Sequence, residues 1–356
     1  MTLREAAGQV LIVGLEGTQL SSLEAAWLRL LRPGGVILFR RNIESSAQTH
    51  ALLHCTQQAV GSPMLRCIDV EGGSVDRLRD LIAPMPSPFA VAATNKPALF
   101  KKHGSLIGQE SHLLGLNTAF APVLDLRTDA SAPVMTTRVV SGDPAQVTRY
   151  ATHFLEGLAQ HEVLGCGKHF PGLGSGQVDS HHATPNITKP LSLLWKEDLL
   201  PYRQLAKQLP MVMISHASYS AAVPEPASVS GYWINEVLVR EIGYQGLIVS
   251  DDMEMGGILN YMGMADAAVR SLAAGMHVVE ICRDPTLVFA AYEALLHEAE
   301  SSVAFARVLR RAAVRARSFH TLHLKRDALP PAPTAVAVNK MRSAVEKFTE
   351  QVARHG

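Results

Sequence analysis

The sequence predicts an α/β fold, a single (β/α)8 TIM-type barrel with a C-terminal helical extension, and three observations carry that expectation. Eight short apolar or β-branched runs recur along the 356 residues. Most lack polar alternation, as parallel strands buried on both faces do. The stretches between them have helical period, so strands and helices alternate. No GxGxxG follows the first run and no GxxxxGK occurs, so a nucleotide-binding doubly wound sheet is not indicated. A barrel of about 250 residues with extensions fits the length as one domain.

In order, the runs span 10–13, 35–39, 64–69, 118–124, 163–169, 211–216, 247–251 and 277–282. The clearest helix between them spans 143–160. Asp143 can cap it, Pro144 suits the first helical position, and Gln146 completes a capping-box-like spacing. Val147, Tyr150, Ala151, Phe154, Leu155 and Leu158 then form one apolar stripe for packing on a sheet. Past Arg326, Leu329-Pro330-Pro331-Ala332-Pro333 cannot continue a helix. A helical pattern resumes over 337–354, with Val338, Met341, Val345, Phe348 and Val352 in partial register. Residues 1–326 are therefore expected to form the barrel, and 327–356 a Pro-rich linker and a helix laid on its outside.

Composition excludes several partners. The 33 basic and 32 acidic side chains nearly balance, and no Lys/Arg block exists, so the footprint for binding a phosphate backbone is missing. No stretch approaches the roughly 20 apolar residues of a membrane span. Cys55, Cys67, Cys166 and Cys282 are widely spaced without a CxxC pair, and read as reduced core residues of a cytoplasmic protein. The N-terminus shows no signal-peptide pattern.

In such a barrel the chemistry sits at the C-terminal ends of the strands. Polar residues end six runs: Arg40-Arg41-Asn42, Asp69-Val70-Glu71-Gly72-Gly73, Asp125, Lys168-His169, His216 and Asp251-Asp252. A carboxylate after a strand is often only the N-cap of the next helix, the reading preferred for Asp125 and Asp252. Asp251 stands immediately after Ile248-Val249-Ser250 and is expected to point into the mouth as a catalytic group. Asp69 with Glu71 supplies either a structural turn at Gly72-Gly73 or acceptors for sugar hydroxyls.

The stretch 168–182 is the most informative. Glycines at 172, 174 and 176 favour a mobile loop. Asp179-Ser180-His181 sets a carboxylate two residues from an imidazole; the Asp would fix the tautomer of His181 and favour its imidazolium, a proton donor poised near neutral pH. A metal site from His169, Asp179, His181 and His182 is the weaker alternative, since no HExxH occurs. Without GxSxG a Ser nucleophile is weaker still.

These pieces together resemble family 3 glycoside hydrolases, of the bacterial β-N-acetylglucosaminidase branch that acts in cell-wall recycling. The resemblance runs from about Gly8 to Arg317 through Gly35-Val36-Ile37-Leu38-Phe39-Arg40-Arg41-Asn42, Asp69-Val70-Glu71-Gly72-Gly73, Phe120-Ala121-Pro122-Val123-Leu124-Asp125, Lys168-His169-Phe170-Pro171-Gly172, Asp179-Ser180-His181 and Ser250-Asp251-Asp252-Met253. It implies Asp251 as nucleophile and His181, oriented by Asp179, as acid/base. It also implies Asp69, Arg77, Arg138, Lys168 and His169 as the holders of a non-reducing-end N-acetylglucosamine. The chain departs from the family pattern at Leu173, where a second His is usual, at Gly174-Ser175-Gly176, at Val70 and at Ser74.

A retaining double displacement follows as the expected chemistry, on a carbohydrate substrate such as a muropeptide, without cofactor or metal, in a monomer that meets neither nucleic acid nor membrane. The rivals are a phosphorylase or β-glucosidase of the same family, a metal-dependent barrel hydrolase, and a sugar-binding barrel without turnover.

Overall fold

The computed structural model describes residues 1–129, 135, 137–174, 184–324 and 329–355. The eight apolar runs form eight parallel strands: β1 (Leu11–Gly14), β2 (Gly35–Leu38), β3 (Leu65–Ile68), β4 (Thr118–Ala119), β5 (Leu164–Phe170), β6 (Met211–Ile214), β7 (Leu247–Asp252) and β8 (Val278–Ile281). Each pairs with the next in chain order, and β8 closes on β1 with Leu11 opposite Val279. Alternation along the strands explains the runs' lack of polar residues. Ile37, Met211, Met213, Leu247 and Val249 fill the barrel interior. Their neighbours Val36, Leu38, Val212, Ile214 and Ile248 point outward into the larger core beneath the helices.

One run forms less ladder than its length suggests. The stretch 118–124 pairs regularly only over Thr118–Ala119. Pro122 has no N–H to give, yet the chain stays on β5: the Ala121 and Pro122 carbonyls accept the Cys166 and Lys168 N–H groups at 2.8 and 3.2 Å, and the Leu124 N–H lies 2.7 Å from the Lys168 carbonyl.

The helix Pro144–Ala159 begins where its sequence signals place it. The Asp143 side chain accepts from the Ala145 N–H at 2.9 Å, Pro144 occupies the first turn, and the whole predicted stripe is buried. Gln146 takes no part in that cap. The last helix, Ala335–Ala353, starts two residues before the expected point because Thr334 caps it through the Ala337 N–H. It buries Val338, Met341, Val345, Phe348 and Val352. The Phe348 ring lies 5.8 Å from that of His103 on the helix Pro97–Leu113. Arg342 donates to the Ile82 and Leu81 carbonyls at 2.8 and 3.0 Å.

Cys67, Cys166 and Cys282 are buried, but Cys55 is exposed, contrary to expectation. It falls on the outer side of the helix Ser46–Val60, whose inner side is taken by Leu52, Leu53, Ala59 and Val60. Among the described residues no helix is long and apolar enough to cross a membrane.

Phe348 is fully buried, so Phe348→Ala is expected to lower the unfolding free energy by about 3–5 kcal/mol in urea titration. A loss below about 1 kcal/mol would mean that the last helix adds little to the core.

Candidate active site

The mouth is built from strand ends. After β3 the chain folds into a short hairpin, Val70–Gly72 against Val75–Asp76. Gly72 has φ +94°, and a Cβ there would come within 2.2 Å of the Pro86 carbonyl oxygen, so only glycine fits. The hairpin turns Glu71 inward until its side chain is fully buried. Arg138 grips it with two parallel hydrogen bonds, Nε to Oε2 and Nη2 to Oε1, both 2.8 Å. Lys168, from β5 and 3% exposed, lies 2.8 Å from Glu71 Oε1 and 2.8 Å from Asp69 Oδ1.

Burial alone would raise the Glu71 carboxyl, but the Arg138 and Lys168 charges outweigh it and hold it far below the carboxylate range. Burial likewise disfavours the Lys168 ammonium, and Asp69 and Glu71 reverse that, keeping it charged. Asp69 keeps an exposed edge of 18%, with Arg77 3.7 Å away. The two candidate hydroxyl acceptors thus divide: Asp69 faces the opening, whereas Glu71 has no surface left to meet a ligand.

Asp125 is not a helix cap. Its carboxylate accepts from His169 Nδ1–H at 2.7 Å, from the His169 backbone N–H at 3.3 Å and from the Leu173 N–H at 2.7 Å. The imidazole is thereby fixed with Nε2 toward the mouth, 4.0 Å from Asp251 Oδ2. Asp251 lies within a bulge on β7: Val249 pairs with Val278 and Asp252 with Glu280, so β7 holds one extra residue there. Such an insertion re-aims side chains at a barrel rim. Burial pushes the Asp251 carboxyl up; the His169 imidazole, the Asp252 N–H at 2.9 Å and Lys168 more than reverse this, and it sits below its ordinary value.

Asp252 is not a helix cap either; its carboxylate accepts from the Glu254 N–H at 3.0 Å, and the next helix, Gly256–Leu259, is preceded by Met255. Burial and the nearby charges of Glu254 and Asp251 raise it to about 7. Adjacent carboxyls are therefore split, one fully ionised at neutral pH and the other not. His216 holds this turn. Its Nε2–H donates to the Asp252 carbonyl at 3.0 Å, so Nδ1 accepts from the Ser228 hydroxyl at 2.8 Å, and burial keeps the ring neutral.

Arg41 and Asn42 serve the rim instead of the floor. Arg41 donates to the Leu15 and Cys282 carbonyls, and Asn42 to those of Leu15 and Gly17. Asp179, His181 and His182, like Ser175 and Gly176, lie outside the described residues. Among the described residues no three His, Cys, Asp or Glu are placed to hold a metal ion.

Residues 2–315 match the glycosyl hydrolase family 3 N-terminal domain. The chain belongs to glycosyl hydrolase family 3. It is 38% identical to a β-hexosaminidase of Alkalilimnicola ehrlichii over 78% of this chain and 82% of that protein, and 36% identical to one of Pseudomonas aeruginosa over 77% and 82%. Among solved structures it resembles a family 3 β-N-acetylglucosaminidase from Paenibacillus, with a TM-score of 0.89 and 30% identity over 99% of this chain and 69% of that one. It also resembles NagZ from Neisseria gonorrhoeae in complex with N-trifluoroacetyl-D-glucosamine, with a TM-score of 0.73 and 26% identity over 86% and 98%.

One acid in this family 3 barrel escaped the sequence reading. Glu280 interrupts the apolar run of β8 and points into the interior beneath the mouth. It is 3% exposed; Oε1 accepts the Cys282 thiol at 2.9 Å, and Oε2 has no partner among the described residues. Burial, then the charges of Asp252 and Asp69, push its carboxyl well up. Glu280 therefore keeps a proton in the fold that the unfolded chain releases above about pH 4.3. The stability this leaves is complete below that pH and lost as pH rises toward the folded value, by about 1.4 kcal/mol per pH unit. Glu280→Gln removes that loss. Its unfolding free energy should gain on the wild type by about 1.4 kcal/mol for each pH unit above about 5. A difference that stays flat with pH would show that Glu280 is ionised in the fold.

Proposed function

We propose that this chain is a retaining glycosidase that removes a non-reducing terminal β-linked N-acetylglucosamine. The observation that carries the reading is Asp251: a carboxylate at a strand end, held below its ordinary pKa, 17% exposed and 4.0 Å from an imidazole that Asp125 orients. An ionised, partly open carboxylate to which no Lys or Arg among the described residues is bonded is free to attack carbon. The β-hexosaminidases among its relatives support the acylated sugar as substrate.

In this mechanism Asp251 attacks the anomeric carbon while His181, oriented by Asp179, protonates the leaving oxygen through an oxocarbenium-like transition state. His181 then takes a proton from water, whose oxygen replaces Asp251 on the sugar. Asp69, Lys168, His169 and Arg77 hold the sugar's hydroxyl groups. Arg138 is assigned to the same subsite and acts through its grip on Glu71. A carboxylate and an imidazole perform both half-reactions, so turnover is expected to be indifferent to chelators. The aglycone we favour is a muropeptide released in cell-wall recycling, which places the enzyme in the cytoplasm.

Asp251→Asn is expected to abolish hydrolysis of an aryl N-acetyl-β-glucosaminide while leaving the fold intact, with the wild type inactive on the aryl β-glucoside and unaffected by phosphate. Unchanged turnover in the variant would remove Asp251 as nucleophile, and phosphate-dependent release of a sugar 1-phosphate would make the enzyme a phosphorylase. His181→Ala should lose about 10²- to 10⁴-fold on substrates with poor leaving groups and far less on activated aryl glycosides. Equal losses on both classes would refute the acid role.

A further inference from the structure

We propose that Tyr219 is a positioning residue for the proton transfer, fixing one end of the segment that carries Asp179 and His181 from a short strand that holds the other; the inference rests on the glycosidase reading above. Tyr219 is fully buried. Its hydroxyl donates to the Gly172 carbonyl at 2.8 Å, and its ring packs on Trp233 with centroids 4.9 Å apart. The backbone of its two chain neighbours holds the other end. Tyr219 pairs in parallel with Ile187, and its neighbours Ser218 and Ser220 donate to the Pro185 and Ile187 carbonyls at 2.8 and 3.2 Å. The short strand Ser218–Tyr219, just beyond β6, is thus attached to the chain on both sides of the acid/base motif, with the Tyr219 hydroxyl making the bond on the Gly172 side.

At the first end the hold is unusually specific, because both polar atoms of one peptide group are taken from opposite sides. The Gly172 carbonyl accepts from Tyr219, and the adjoining Leu173 N–H donates to Asp125 Oδ1 at 2.7 Å. A peptide plane bonded at both its oxygen and its nitrogen cannot rotate without breaking one bond. Gly172 suits the position, since its φ is +131° and a Cβ would meet the Asp198 Cβ at 2.8 Å. Asp125 also carries His169, whose ring faces Asp251. The start of the segment is therefore set in register with the nucleophile, and Tyr219 closes that chain of bonds.

Tyr219→Phe deletes the donor and keeps the ring and the backbone pairing. The test compares kcat/KM for N-acetyl-β-glucosaminides with poor and with activated leaving groups, in wild type, Tyr219→Phe, His181→Ala and the double variant. We expect about a tenfold loss for Tyr219→Phe on the poor leaving group and less than about threefold on the activated one, in line with one buried hydrogen bond acting through a general acid. In the His181→Ala background the Phe substitution should have no further effect. Equal losses on both substrates, no loss on either, or full additivity with His181→Ala would each overturn the proposal. Should Tyr219→Phe fold poorly, Gly172→Ala, which disturbs the same peptide, must give the same split. Failure of the glycosidase reading looks different: the wild type would not cleave these substrates, or His181→Ala alone would show no dependence on leaving group.

Discussion

The mouth of this barrel is organised around a carboxylate that no water can reach. Glu71 is fully buried at the end of β3, and an isolated charge there would be untenable. Arg138 and Lys168 answer it from two other parts of the chain, each at 2.8 Å. Removing one cation from such a group typically costs about 3–5 kcal/mol, because the remaining charge is left uncompensated. The pairing therefore fixes geometry more than it adds net stability. Lys168 cannot satisfy Glu71 without also meeting Asp69 at 2.8 Å, so the floor of the site is set by the same bonds that neutralise its centre.

The charge of Asp251 depends on a second, lighter chain of bonds. Asp125 holds His169, and the imidazole stands 4.0 Å from Asp251. Against that help stand Asp252 and Glu280, carboxyls close enough to oppose Asp251 if all were ionised. The conflict is resolved by protons. Burial moves Asp252 to about 7 and Glu280 well up, and only the carboxyl with imidazole, ammonium and N–H support remains below its ordinary value. One strand end thus presents a single fully ionised carboxylate although three acids crowd it.

Fold and site were unequally legible in the sequence. Strand number, order and most boundaries could be read, because a strand covered on both faces must be apolar throughout and nothing else in the chain imitates that pattern. The exception, β4, shortened at Pro122. Polar residues at strand ends marked the mouth. Asp125 was misread because capping is judged from local sequence, whereas its partners, His169 and Leu173, lie more than 40 residues away. Nothing local marks Arg138, whose place came from family resemblance alone. Glu280 did leave a signal, a lone acid in an apolar run, but its meaning depended on the neighbours that closure of the barrel supplies.

The same closure explains why an ionic site can sit directly on an apolar core. Along β7, Leu247 and Val249 face the interior before Asp251; along β5, Cys166 precedes Lys168, and along β3, Cys67 precedes Asp69. One step of two residues separates dry packing from charge on each strand. At that boundary water cannot screen charge from below, so interactions in the mouth are stronger than they would be on a surface, for repulsion as for attraction. Glu280 stands on the boundary itself. A neutral acid whose one oxygen binds the Cys282 thiol is the form of carboxyl that such a layer tolerates. That is why the barrel tolerates an acid beneath Asp251 only while the acid holds its proton.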